Sequence, residues 1–450
     1  MNLDTIHRVY FVGIGGIGMS ALARYFHEKG MLVAGYDKTP SLITEALMDL
    51  GIDIHFEDNL NLVDKVFLNA KNTLIVYTPA IPKNHAELTY FQTHEFEVLK
   101  RSEVLGVITQ NTFCFAVAGT HGKTTTTSIL AHLLAECHVP VTAFLGGISE
   151  NYNSNLILKG TEVSVVEADE FDRSFLRLSP NVACITSMDA DHLDIYGDAS
   201  ELVKSFNDFA KKVKPNGVLF VKNGLPINGI TYGIEDDSDY SVQNIKIKKG
   251  TYVFDVKTPE TILKNIEFSL PGRHNLSNAL IALAMAVYYG CPHQQLANAL
   301  GSFKGVKRRF TYQIKTNNLV YIDDYAHHPE EINAVYQAVR EMYPGQKVLA
   351  IFQPHLFSRT RDFADDFANS LAQFDAVILL DIYPARELPI EGVTSEWLLG
   401  KIENDNKQLV AKNDLVQAVK NRPEKVIITI GAGDIGEEVK HLKKELELAI

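Results

Sequence analysis

The sequence predicts an α/β protein of three domains in series, and three observations carry that reading. Short β-rich runs alternate with helical stretches through most of the chain, a strand–glycine–helix unit starts more than once, and two shifts in texture separate the starts. At 450 residues the chain also exceeds what a single core usually organises.

The first hundred residues read RVYFVGIG, a helix from about Ile17 to Lys29, MLVAGYD and later TLIVYTPA, the order of a parallel sheet with crossover helices. The charged stretch EVLKRSEVLG then leads into a new start, so a boundary is expected near Gly106. TFCFAVAGTHGKTTTTSILAHLLAEC repeats strand, glycine turn and helix, and EVSVVEADE and NVACITSMDADH follow as apolar strands with acidic ends. From Gly217 to Pro271 shorter runs such as GVLFV and GTYVFDV predict a sheet that mixes parallel and antiparallel pairs. The helix HNLSNALIALAMAVYYG follows Pro271-Gly272, and Gly290 should stop it. A second boundary falls near GVKRRF. Beyond it LVYIDDYA, a helix with Pro329 in its first turn, KVLAIFQPH, RDFADDFANSLAQF, DAVILLDIY and KVIITIGAGDIG alternate again. The expected domains are 1–106, Rossmann-like; 107–309, P-loop ATPase-like with a mixed sheet; and 310–450, Rossmann-like.

Composition excludes several classes. Hydrophobic residues make up 46% and charged residues 22%, which is globular and self-sufficient for folding. The formal net charge is −12 and no Lys/Arg block relieves it, so general attraction to nucleic acid or to an anionic membrane is not expected. The opening MNLDTIHRVYFVGIGG is apolar only briefly and reads as a buried strand and turn rather than a leader, and no apolar run is long enough to insert in a bilayer. Cys114, Cys137, Cys184 and Cys291 lack CxxC or zinc spacing and read as reduced core thiols, which implies a cytoplasmic location.

Chemistry concentrates at strand ends. Gly119-Thr120-His121-Gly122-Lys123-Thr124-Thr125 lies between an apolar strand and a helix. Glycines there turn backbone N–H groups toward phosphate oxygens, while the helix N-terminus and Lys123 supply positive potential and the Thr124 hydroxyl a Mg²⁺ ligand. Val117 stands where the longer Walker A spacing wants its first glycine. Glu167 and His192 close neighbouring segments at the same sheet edge, so the expected metal site is Thr124, Glu167 and His192, with Asp169, Glu170, Asp189 and Asp191 as competitors. Gly13-Ile14-Gly15-Gly16-Ile17-Gly18 fits GxGxxG, with Asp37 ending the next strand where a ribose-binding acid would sit. Taken alone that pattern says NAD; physically it says a backbone cradle for a diphosphate. Gly431 to Gly436 matches the same pattern again. Asn275 and Asn278 share one helix face and suit either an adenine edge or a cap. Asp323 to Pro329 and Gln353-Pro354-His355, with Arg359 and Arg361 close behind, suit a zwitterion, or else surface salt bridges.

Together these residues resemble the Mur ligase family over nearly the whole chain: GIGGIGMS at 13–20, AGTHGKTTT at 118–126, EADE at 167–170, DADHLD at 189–194, GRHNLSNA at 272–279, RRF at 308–310, DDYAHHPEEI at 323–332, QPH with RTRDF at 353–363, and GAGDIG at 431–436. The resemblance implies that Gly13, Gly15, Gly16, Gly18, Ser20 and Asp37 hold a UDP-sugar rather than NAD. It further implies that the 119–125 loop binds ATP, with Lys123, Glu167 and His192 serving catalysis. Asn275, Asn278, Arg309 and Asp324 would approach the adenosine or phosphates, and Tyr325, His327 and Arg359 the incoming amino acid. The implied reaction passes a phosphoryl group from ATP, with Mg²⁺, to the carboxylate of UDP-N-acetylmuramate. L-alanine then captures the acyl phosphate. Two departures stand out: Leu356 follows QPH where many relatives have arginine, and ENYNSN at 150–155 replaces a glycine-threonine-asparagine pattern. A nicotinamide oxidoreductase would leave the GKTT loop unexplained, and a nucleotide switch would leave the HNLSN, DDYAHHP and RTR clusters unexplained.

Overall fold

The computed structural model describes residues 3–189, 199–248, 250–385, 387–420 and 422–448. The chain forms two compact units. One comprises Met1–Ile245, Val253–Glu267 and Ser277–Lys304, and the other Lys246–Tyr252, Phe268–Leu276 and Gly305–Ile450.

The first sheet uses β1 (Arg8–Val12), β2 (Leu32–Tyr36), β3 (Asp53–His55), β4 (Thr73–Tyr77) and β5 (Glu97–Lys100) in the order β3-β2-β1-β4-β5, all parallel. Its helices are α1 (Ile17–Glu28), α2 (Leu42–Met48), α3 (Ala86–Thr93) and α4 (Arg101–Gln110). The strand order reverses at β1, so the carboxyl end of β1 opens a crevice, and the 13–18 glycines occupy it.

The second sheet follows with β6 (Phe113–Ala118), β7 (Val141–Ser149), β8 (Ser154–Leu158), β9 (Val163–Ala168), β10 (Val182–Ile185), β11 (Val218–Lys222), β12 (Ile230–Ile234), β13 (Tyr240–Lys248), β14 (Thr251–Lys257) and β15 (Ile262–Phe268). Their order is β15-β14-β13-β12-β11-β10-β6-β9-β7-β8. Pairing from β13 through β10, β6 and β9 to β7 is parallel, and β7–β8 is antiparallel. The links between β13, β14 and β15 are too short for a crossover, so those strands meander. The expected mixture is present within the 217–271 stretch, where parallel β11–β12–β13 runs into the β13–β14–β15 meander, and a further antiparallel pair stands at β7–β8. Helix α5 (Lys123–Glu136) follows β6, and the helix Arg273–Tyr289 ends at Gly290, whose φ of 101° continues no helix.

The third sheet, in the second unit, joins β16 (Thr311–Lys315), β17 (Val320–Asp324), β18 (Val348–Phe352), β19 (Ala376–Leu379), β20 (Lys407–Leu409) and β21 (Val426–Ile430) in the order β16-β17-β21-β18-β19-β20, antiparallel only at β16–β17. Pro329 stands first in the helix Pro329–Met342, where its missing N–H costs nothing.

Apolar packing explains the grouping. One continuous cluster takes Val9, Phe11, Leu22 and Phe26 from the first sheet together with Ala116, Phe144, Val166 and Phe175 from the second. The third sheet has its own cores on its two faces, one built around Ile322, Ala350 and Ile428 and the other around Tyr321, Ile351 and Ile427. Among the described residues no helix is long and apolar enough to cross a membrane. All four cysteines are free; Cys114, Cys184 and Cys291 are buried, whereas Cys137, expected in the core, is half-buried because it caps the end of α5.

Candidate active site

At the crevice of the first sheet, the chain itself uses part of the glycine turn. Gly13 and Ile14 donate their N–H groups to Tyr36 O at 2.8 and 2.9 Å, and Gly15 N donates to Asp37 Oδ2 at 2.7 Å. Asp37 also accepts from Thr39 N through Oδ1 at 3.4 Å. The carboxylate expected at a ribose thus also shapes the turn. A Cβ at Gly15 would lie 2.8 Å from Asp37 Oδ2, which is why this position is glycine. From Gly16 onward the N–H groups belong to the start of α1, where no intrahelical carbonyl can accept them, and this is the anion-binding end. Ser20 faces elsewhere. It is fully buried, its hydroxyl donating to Ile17 O at 3.0 Å and paired with Asn155 Nδ2 at 2.8 Å. Asn155 also donates to Ile17 O at 2.7 Å, so the departed ENYNSN segment clamps the first turn of α1 onto β8. Ser20, expected at the sugar, thus has its hydroxyl engaged in packing α1 against β8.

The phosphate loop lies at the carboxyl end of β6, which sits between β9 and β10. Gly119 has φ 130°, and a Cβ there would lie 2.1 Å from Thr186 Oγ1. Gly122 has φ 84° at the N-terminus of α5, and a Cβ there would lie 2.5 Å from Asn278 Oδ1. Asn278, also bonded to Thr126 Oγ1 at 3.2 Å, therefore rests directly on the loop. Thr120 and His121 are held by the β10 exit: Thr120 Oγ1 donates to Asp189 O at 2.9 Å and His121 N donates to Ser187 Oγ at 2.8 Å. Thr125 is buried behind them.

Lys123 turns its ammonium to Gly119 O at 2.7 Å and to both oxygens of Glu170 at 2.9 and 2.8 Å. The Glu170 side chain is 1% exposed. Burial disfavours the Lys123 cation, but Glu170, Asp169 and Glu167 outweigh it and hold its pKa above the ordinary lysine value. Burial raises both Glu167 and Glu170, with Lys123 opposing. Glu167 accepts from Gly146 N at 2.6 Å and from Thr124 Oγ1 at 3.3 Å, and a Cβ at Gly146 would lie 2.4 Å from its oxygens. Thr124 and Glu167 are thus brought together, as hard oxygen donors of the kind Mg²⁺ takes. His192 lies outside the described residues, and among those described no group of three His, Cys, Asp or Glu side chains is arranged to hold a metal. Glu170 and Gly146 are the residues that sequence reasoning under-weighted. EADE contained the first only as a competitor, and nothing local marks the second.

In the second unit the ends of β17 and β18 gather the remaining candidates. Arg308 and Arg309 lie over the Tyr325 ring at 5.1 and 5.3 Å. His327 Nδ1 is 3.0 Å from Tyr325 O, a pure acceptor, so Nδ1 carries the proton and Nε2 the lone pair on the neutral ring. Burial lowers the His327 pKa, and the Arg359 and Arg309 charges add to this against Glu331. His327 is 6.0 Å from the His355 ring, which Arg359 Nη1 approaches at 3.5 Å and which stacks on Tyr383 at 5.7 Å. His355 belongs to the Gln353-Pro354-His355 cluster read from the sequence, whereas Tyr383 carried no signal there. Asp324 is turned inward, its oxygens taking Phe310 N and Ala326 N, each at 2.7 Å. Asn275 donates to Pro271 O at 2.6 Å and so holds the bend before its helix. The second glycine pattern is filled: Gln353 Oε1 accepts from Ile435 N at 2.9 Å, Gln353 Nε2 donates to Asp434 Oδ1 at 2.7 Å, and Lys412 pairs with Asp434.

Comparison with known proteins adds three domain models in chain order: Mur ligase family, catalytic domain, over residues 8–112; Mur ligase middle domain over 117–286; and Mur ligase, glutamate ligase domain, over 308–433. A UDP-N-acetylmuramate–L-alanine ligase of Flavobacterium psychrophilum is 64% identical over 447 residues, 99% of this chain and 100% of that protein. One from Christiangramia forsetii is 63% identical over 446 residues, 99% of each. A crystal structure of a UDP-N-acetylmuramate–alanine ligase from Thermotoga maritima superposes with a TM-score of 0.83 at 27% identity, covering 98% of this chain and 100% of that one.

Proposed function

Because this chain belongs to the Mur ligase family, we infer that it is an ATP-dependent ligase that joins L-alanine to the carboxylate of UDP-N-acetylmuramate in peptidoglycan precursor synthesis. The observation that carries this is full-length identity of 64% to a ligase of that name, with the phosphate loop and acid segment intact. Amide formation in water needs an activated acid. The γ-phosphoryl group passes from ATP to a carboxylate oxygen, giving an acyl phosphate and ADP. The alanine amine then attacks the acyl carbon, phosphate leaves with the C–O bond, and the amine proton is lost.

Positioning and charge neutralisation suffice for both steps, so the chain needs no nucleophile of its own. The residues are assigned in three groups. Gly13 to Gly18 and the start of α1 take the UDP diphosphate, with Asp37 shaping the turn, in a module spanning 1–106. Gly119 to Thr125 with Asn278 take the ATP phosphates in 107–309, where Lys123 exchanges Glu170 for phosphate oxygens. Tyr325, His327 and Arg359, in 310–450, take the amino acid, Arg359 forking onto its carboxylate. Thr124 and Glu167, with His192, would hold Mg²⁺, which when bound neutralises charge on the transferring phosphates. ATP, UDP-sugar and free thiols suit the cytoplasm. Phosphate release assayed with each substrate omitted in turn is the test. Release that does not require ATP, UDP-N-acetylmuramate and L-alanine together would overturn the assignment.

A further inference from the structure

Gly18 is small for a reason that lies outside its own motif. A Cβ there would stand 2.7 Å from Nη1 of Arg101, 3.1 Å from its Cδ and 3.2 Å from its Cζ. The Arg101 side chain therefore lies along the first turn of α1. Arg101 is the first residue of α4, fixed by a box in which Lys100 N donates to Glu103 Oε2 at 3.0 Å. From there its Nη2 comes within 3.6 Å of Asp169 Oδ2, on the segment that carries Glu167 and Glu170. At that distance the pair attracts without the lock of a short fork. A cavity of about 10 Å³ is lined by Arg101, Asp169 and Glu167 among others, so these charged groups share one small space. Arg101 thus touches the glycine turn of the first sheet and the acid segment of the second, and the apolar core beneath is common to both.

We propose that Arg101 is a positioning residue that links diphosphate occupancy of the glycine turn to divalent-cation affinity at the acid segment. The proposal rests on the UDP-sugar and Mg²⁺ sites assigned above. A diphosphate at the start of α1 is a stronger partner for the guanidinium than a single carboxylate at 3.6 Å, and draws it toward Gly18. Asp169 then loses a compensating positive charge beside Glu167, which favours a cation there. By linkage, the cation tightens UDP-sugar binding by the same factor.

The experiment measures the Mg²⁺ midpoint for ADP binding by calorimetry, with and without saturating UDP-N-acetylmuramate, in the full-length wild type, Arg101→Met, Arg101→Lys and Gly18→Ala. In the wild type, UDP-N-acetylmuramate should lower the midpoint about fivefold, within the usual range of coupling factors. In Arg101→Met the midpoint should already be low without UDP-sugar and should not respond to it, while UDP-sugar affinity falls about tenfold, as loss of a charge-assisted contact predicts. A merely structural role would raise the midpoint, the opposite sign. Arg101→Lys, which keeps the cation and the stem, should retain part of the response and serves if the Met variant does not fold. Gly18→Ala, which displaces the guanidinium without removing it, should behave as Arg101→Met. UDP-sugar affinity unchanged in both Arg101→Met and Gly18→Ala would overturn the UDP-sugar site itself. Affinity lowered with the fivefold response intact would overturn only the link.

Discussion

Leu356 holds φ 71° and ψ 135°, a region that a branched side chain enters only under constraint. The constraint is visible, since Leu356 N donates to Tyr383 O at 2.9 Å and His355 bridges to Tyr383 alongside. Relief of roughly 1–3 kcal/mol of strain should exceed the extra chain entropy of glycine. Leu356→Gly is therefore expected to raise stability by about 1 kcal/mol in urea melts, and to raise the L-alanine KM because His355 and Arg359 flank the strained residue. A less stable variant would mean that leucine packing, not strain, dominates. Asp324 gives a pH signature. Burial pushes its pKa up to about 6, against Arg309 and the two backbone donors. The folded state then binds this proton more tightly than the unfolded chain, whose value is near 4. The group's contribution is complete below about pH 4 and is lost as pH rises through about 6, to the extent of about 3 kcal/mol. The stability difference between wild type and Asp324→Asn should shrink over that window, and a constant difference would refute it. The sequence singled out both residues but not these properties. A positive φ at leucine leaves no mark in sequence, and the depth of Asp324 depends on β16 and β17 closing over it.

At the scale of elements the sequence was most readable where chemistry is local. The phosphate loop, the acid-ended β9 and the glycine turn after β1 all announce themselves, since a strand, a turn and a helix start lie within a few residues of one another. Contacts that join elements were not readable: Asn155 reaches Ser20 across 135 residues and Lys123 reaches Glu170 across 47, and no local pattern encodes such a meeting. Asp37 shows the resulting ambiguity, since its position fits a ribose and its actual partner is Gly15 N. The loop is also where a single methyl group should matter most. At Gly119 an added Cβ meets Thr186 Oγ1 at 2.1 Å and the Thr186 and Ser187 backbone nitrogens at 2.9 and 2.8 Å, and backbone cannot step aside cheaply. Gly119→Ala is expected to lower ATP turnover by at least about a hundredfold, as misplacement near the reacting groups does, while UDP-N-acetylmuramate affinity by calorimetry stays within about twofold of wild type. A joint loss of both would place the two ligands on one loop.

For the molecule as a whole, three α/β modules were legible from three alternations of strand and helix, yet the expected boundary near Gly106 falls inside a single compact unit. The physical reason is packing: α1 lies against β7 and β8, and Gly106 backs onto Arg177, whose carbonyl would stand 2.9 Å from an added Cβ. Hydropathy along a chain shows that a helix has an apolar face but not which sheet receives it. The third sheet, with cores of its own, should melt separately, and UDP-N-acetylmuramate should raise only one of two calorimetric transitions; a single transition shifted entire would contradict this. The common core under the first two sheets also bears on how such a chain can be cut and recombined. A fragment ending at residue 106 would carry the buried faces of Leu22 and Phe26 into water and should be recovered as aggregate, however complete its five strands look. By the same reasoning, a chimera with a relative that exchanges only those 106 residues would inherit a mismatched seam, so the smallest piece that can be traded intact runs on to about Lys304.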